Sequence, residues 1–112
     1  MMEHFFLWPG RRAGDPAHDM LVAFLVVDIQ HNPAWAHQLS DRIKDVKSGR
    51  RNVWGRVGNA YRLELTGDGA LIEDLVDEDS AVQEITIEDF SKALDAWIKS
   101  FESEDKNLRT GF

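Results

Sequence analysis

The residues with the best claim to chemistry are the four histidines, His4, His18, His31 and His37, with the aspartates near them. His18 adjoins Asp19, and Asp28 stands just before His31. If folding gathered His18, His31 and Asp28, their nitrogen and oxygen donors would suit a small metal-dependent hydrolase or an acid–base pair. Their spacing does not match the two histidines flanking a glutamate on a zinc-binding helix. Four separate surface histidines are the plainer account.

Other catalytic patterns are missing from the sequence. None of Ser40, Ser48, Ser80, Ser91, Ser100 or Ser103 occupies a Gly-x-Ser-x-Gly elbow, and no histidine follows His37. Gly55 and Gly58, or Gly67 and Gly69, do not form a phosphate loop, because neither pair opens a helix with Lys-Ser/Thr. Cysteine is absent, which removes thiolate nucleophiles, thiolate zinc sites and disulfides. The expectation is a protein without catalytic residues, bound metal or cofactor.

Charge is more informative. The 112-residue chain carries a net charge of −7, which opposes general nucleic-acid binding and suits a basic partner. Between positions 42 and 62 there are seven basic residues against the single acid Asp45, a net of +6. Between positions 64 and 105 there are fourteen acids against two lysines, a net of −12. Within the basic stretch, Arg50, Arg51 and Arg56 surround Trp54 and could grip a phosphate or RNA. A helix end followed by a strand entry explains the same residues. In the acidic stretch, Glu73, Asp74, Asp77, Glu78, Asp79 and Glu84 cluster about one loop, followed by Glu88 and Asp89. So many carboxylates repel one another, and one use for them is a docking surface that steers a basic protein. They lack the ligand spacing of a calcium loop. The alternative is a solvated face, with Glu88 and Asp89 serving a helix N-terminus.

The elements that would position these residues follow from hydrophobic periodicity. Residues 3–8 read as a short strand stopped by Pro9 and Gly10. Residues 10–19 read as an exposed loop. Residues 20–30 are apolar on both faces of an alternating pattern, as in a central strand covered on both sides. Asn32 and Pro33 open a helix over 33–48, with Trp35, Leu39, Ile43 and Val46 on one face and Gly49 as its cap. Residues 53–66 read as a strand interrupted at Gly55 and Gly58 by a bulge or close approach. Asp68 and Gly69 turn the chain into a returning strand over 70–76. After an acidic loop over 77–83 and a short extended piece at Ile85, Thr86 caps a second helix. Phe90, Leu94, Trp97, Ile98 and Phe101 line that helix, which ends near Glu102.

The expected fold is therefore α+β: an antiparallel sheet with two amphipathic helices, in the order ββαββα. Residues 1–102 form one domain and 103–112 a flexible tail. The longest apolar run, 20–27, is too short to cross a membrane. The first ten residues lack the basic start and apolar middle of a signal peptide, so a soluble cytoplasmic protein is expected.

A family resemblance adds to this reading. Trp54, Gly58, Tyr61, Leu63, Leu65, Asp68, Gly69, Ile72, Ile87, Asp89, Phe90, Leu94 and Trp97 form a pattern similar to small bacterial immunity proteins. These belong to contact-dependent growth inhibition and related polymorphic toxin systems, including a YacL-like subgroup. The resemblance covers the second half of the chain, with only element order agreeing in the first. It implies a non-enzymatic antidote that binds one toxin domain, often a basic nuclease, and occludes its active site. No contact residue carries over, so the expected partner-binding set, Glu73, Asp74, Asp77, Glu78, Asp79 and Glu84, rests on charge alone. The protein is expected to be a monomer, with a homodimer through an exposed strand edge left open.

Overall fold

The computed structural model describes residues 8, 10–12, 14–77 and 79–110, with side chains through position 100. The expected strand over 3–8 lies outside the described residues except for Trp8. The elements are α1 (Pro16–Phe24), a π-helical turn (Leu25–Ile29), α2 (Pro33–Ser48), β1 (Val53–Val57), β2 (Tyr61–Thr66), β3 (Gly69–Asp74), β4 (Gln83–Thr86) and α3 (Ile87–Thr110). The four strands form an antiparallel meander in the order β1-β2-β3-β4. Leu63, Leu65, Ala70, Ile72 and Ile85 line its buried face, and the helices pack there. The α+β class is as expected. The order ββαββα is not: three helices are present, and no strand precedes β1 among the described residues.

The main correction concerns residues 20–30, which are helical rather than a strand. Asp15 caps α1 by accepting hydrogen bonds from the Ala17 and His18 N–H groups at 2.9 and 3.4 Å, and Pro16 occupies the first turn. The Arg12 guanidinium holds the Asp15 carboxyl below the usual carboxylate range. Beyond this cap, Leu21, Phe24, Leu25 and Ile29 recur at helical spacing and are buried. A short apolar run suits a buried helix as well as a buried strand, and the Asp15-Pro16 start decides between them.

The π-helical turn ends in a strained residue. Gln30 has φ 57° and ψ −153°, a region that normally needs glycine. Three hydrogen bonds hold it there. Its N–H donates to the Leu25 carbonyl at 2.7 Å, its side-chain amide donates to the Val27 carbonyl at 2.9 Å, and its carbonyl accepts from Trp97 Nε1 at 2.7 Å. The chain thereby turns sharply into α2, where Asn32 accepts from the Trp35 N–H at 3.1 Å. Helix α2 has the expected bounds and ends in left-handed Gly49.

Residues 53–66 form two strands rather than one interrupted strand. Gly58 lies in the turn between them, where its N–H donates to the Tyr61 carbonyl at 2.9 Å. Gly55 sits within β1 in unbroken register, opposite Glu64, so there is no bulge. The next hairpin is present as expected but turns one residue earlier, at Gly67 and Asp68, with Gly69 already in β3 and Thr66 Oγ1 accepting from the Asp68 and Gly69 N–H groups at 3.2 Å each. Strand β3 ends at Asp74, not Val76. Strand β4 runs straight into α3, whose first turn is capped by Thr86 Oγ1 accepting from the Asp89 N–H at 3.1 Å. The α3 backbone stays helical to Thr110, past the end expected near Glu102.

The strain at Gln30 gives a stability prediction. Gln30→Gly is expected to match or exceed the parent protein in urea unfolding, because relief of the left-handed backbone offsets the lost side-chain bond. Gln30→Val is expected to lose about 2 kcal/mol, since a β-branched residue fits this region poorly.

Candidate docking surface

The structure does not assemble the residues that suggested metal chemistry. Asp28 is buried at the end of the π-helical turn, and its carboxylate accepts from the N–H groups of Asn59, Ala60 and Tyr61 at 3.1 Å each. These are the successive amides of the β1–β2 turn, and they form a concave anion site that Asp28 fills. A side chain on Gly58 would collide with this carboxylate, whose Cγ lies 2.8 Å from where a Cβ would stand.

His18 is buried elsewhere, beneath Trp8 at a ring separation of 5.5 Å. Its Nδ1 accepts from the Arg12 N–H at 2.9 Å, and its Nε2 lies 3.9 Å from an Asp89 oxygen. His31 packs against Trp97 at 5.2 Å between ring centroids. Among the described residues, no three histidine or carboxylate side chains form a group that could hold a metal.

The basic residues are also divided. Arg50, Arg51 and Arg42 converge on Asp45 at 3.1, 3.6 and 3.3 Å, at the end of α2. One carboxylate thus gathers three guanidinium groups and leaves the cluster positive. Arg56 stands apart, with its guanidinium 3.1 Å from the centre of the Trp35 ring. Burial draws its pKa down, and the charge of Asp28 opposes this.

The acidic residues do share one region: the end of β3, the loop beyond it, and β4. Glu73 is engaged, accepting from Arg62 Nε at 2.7 Å. Asp74 folds the loop by accepting from the Val76 and Asp77 N–H groups at 2.9 and 3.0 Å. Asp77 does the same for the Asp79 N–H at 3.1 Å. Asp77, Asp79 and Glu84 are exposed and have no cationic partner among the described residues. Glu78 lies outside the described residues.

The sequence reading missed the apolar residues in this loop. A strand over 70–76 would bury part of Leu75 and Val76, but β3 stops at Asp74 and releases both. Leu75, Val76 and Val82 are exposed by 41%, 77% and 48%. The signal was Asp74 itself, an aspartate placed to start a turn. An apolar group rimmed by charge is the anatomy of an interaction surface. No family model, curated protein or solved structure matches this chain.

Tyr61, the chain's one tyrosine, reports on the Asp28 anchor. Burial raises its pKa, with further contributions from Asp74 and Asp28. Absorbance titration is expected to place its midpoint above the ordinary value of about 10. A raised folded pKa means that Tyr61's contribution to stability is complete below the unfolded value and fades as pH rises through the folded one. Asp74→Asn should lower the midpoint while leaving the fold intact. Asp28→Asn should cost about 2–4 kcal/mol in urea unfolding, because one carbonyl oxygen cannot serve three amides.

Proposed function

We propose that this protein is a non-enzymatic, antitoxin-like binding protein that docks a basic partner through the β3–β4 loop. The observation that carries this reading is the exposed group Leu75, Val76 and Val82, set among Asp77, Asp79 and Glu84. Unpaired carboxylates steer a cationic surface into place, and apolar contacts slow its release. The partner that fits this surface and the sequence resemblance is a cognate toxin domain, a nuclease. Its nucleic-acid site would itself be basic. Occlusion of that site by the loop and its acidic rim would suffice for inhibition, with no catalytic group on this chain.

The decisive experiment is capture of a basic host protein at one-to-one stoichiometry, followed by inhibition of its activity. Reversal of Asp77, Asp79 and Glu84 to Lys should lower the association rate about tenfold or more at low salt and flatten its salt dependence. Val76→Asp should instead act mainly on dissociation. Binding unchanged by both variants would remove the loop from the interface.

A further inference from the structure

We propose that β1 is a self-pairing edge, at which two copies of this chain join antiparallel and merge their sheets. Among the described residues, sheet order leaves the outer side of β1 without a neighbouring strand. Proteins usually guard such an edge with lysine, proline, a bulge or a covering element. Strand β1 contains neither lysine nor proline, and its register with β2 is unbroken. Gly55 is exposed, as are Val53 and Val57, by 49% and 65%. A shallow trough lined by Val53, Gly55, Val57, Arg62 and Glu64 runs along it. The strand's one charge, Arg56, is turned to the helix-covered face and stacked on Trp35. The opposite edge, β4, is guarded: it is four residues long, exposes Glu84, and has α1 packed against it.

The ladder shows which backbone groups β1 presents. Gly58 N–H donates to the Tyr61 carbonyl, and Leu75 N–H donates to the Ala60 carbonyl. Bonding alternates along an antiparallel pair, so Trp54 and Arg56 turn their N–H and C=O toward β2. Val53, Gly55 and Val57 turn theirs outward. A second copy centred on Gly55 sets Val53 opposite Val57, Gly55 opposite Gly55, and Val57 opposite Val53. Every outward donor and acceptor then meets its complement, and the exposed valines pair on the open face of the sheet.

Avoidance of like-charge contacts favours the same register. It places Trp54 across from the cationic Arg56 of the second copy, and β1 contributes no carboxylate to repel. It also holds the two Arg51 residues about 27 Å apart, at roughly 3.4 Å per residue. Sliding the strands one way shortens the ladder and sets Arg56 against Arg56. Sliding the other way shortens it equally and sets Trp54 against Trp54. A five-residue ladder is a small interface, so pairing should be reversible and concentration-dependent.

Because the chain has no cysteine, engineered thiols can read the register directly. Light scattering over a concentration series should show the mass rising from 12.8 kDa toward twice that value. Under mild oxidation, the double variant Val53→Cys/Val57→Cys should crosslink to itself, while either single variant should not. Val57→Lys, at an exposed position, should abolish the mass increase with unchanged circular dichroism. A monomer at every concentration would overturn the proposal. So would single variants that crosslink as readily as the double, or a Val57→Lys protein that still doubles in mass. Double-variant crosslinks only to a different host protein would assign the edge to a foreign strand instead, which also overturns it.

Discussion

Asp28 is the point at which the helical first half of the chain meets the sheet. Its carboxylate, carried one residue before the end of the π-helical turn, receives three consecutive amides from the β1–β2 turn. Those amides face inward and would otherwise lack partners, at a cost comparable to losing hydrogen bonds in the core. The arrangement constrains both sides. Position 58 must lack a side chain, because the carboxylate occupies that space. The helical segment must end where it does, because Asp28 has to reach the turn. Gln30 takes up the geometric consequence two residues later, in a conformation held by Trp97 from α3. A single buried charge thus links the π-helical turn, the hairpin and, through Gln30, the last helix.

Around this anchor the core is ordinary in composition. Leu21, Leu25, Ile29, Phe90, Leu94 and Ile98 share one buried cluster with the sheet residues Leu63, Leu65 and Ile72. Charge is sorted by topology rather than neutralised. The arginines around Asp45 lie where α2 ends and β1 begins, whereas the acidic loop follows the far end of β3. The meander places these at opposite ends of the sheet. The arginine cluster around Asp45 and the acidic β3–β4 loop therefore remain apart, while Arg62 of the basic stretch pairs locally with Glu73.

What the sequence disclosed follows from where local signals are decisive. Helix α2 was legible to the residue because Asn32, Pro33 and Gly49 mark both ends. The Thr86 cap was legible for the same reason, as was the existence of the β2–β3 hairpin, though its turn falls at Gly67 and Asp68 rather than Asp68 and Gly69. Residues 20–30 were misread because apolar residues on all sides erase the difference between a period of two and one of 3.6. Asp15, directly before Pro16, carries the local start signal of α1. No local rule announces that Asp28 will find amides 31 to 33 positions away. The acidic region was visible in composition. Its apolar centre was not, because that depended on β3 ending at Asp74 instead of two residues later.

The hydrogen bonds inside the acidic loop have a consequence for selectivity. Asp74 and Asp77 each spend one oxygen ordering the backbone that follows them. The loop is also clamped at both ends by the paired strands β3 and β4. Asp74 and Asp77 therefore have less side-chain freedom to surrender on contact than carboxylates held only by water. A flexible acidic tail adheres to almost any polycation. Carboxylates tied to their own backbone, as Asp74 and Asp77 are, favour one spacing of positive charges over others.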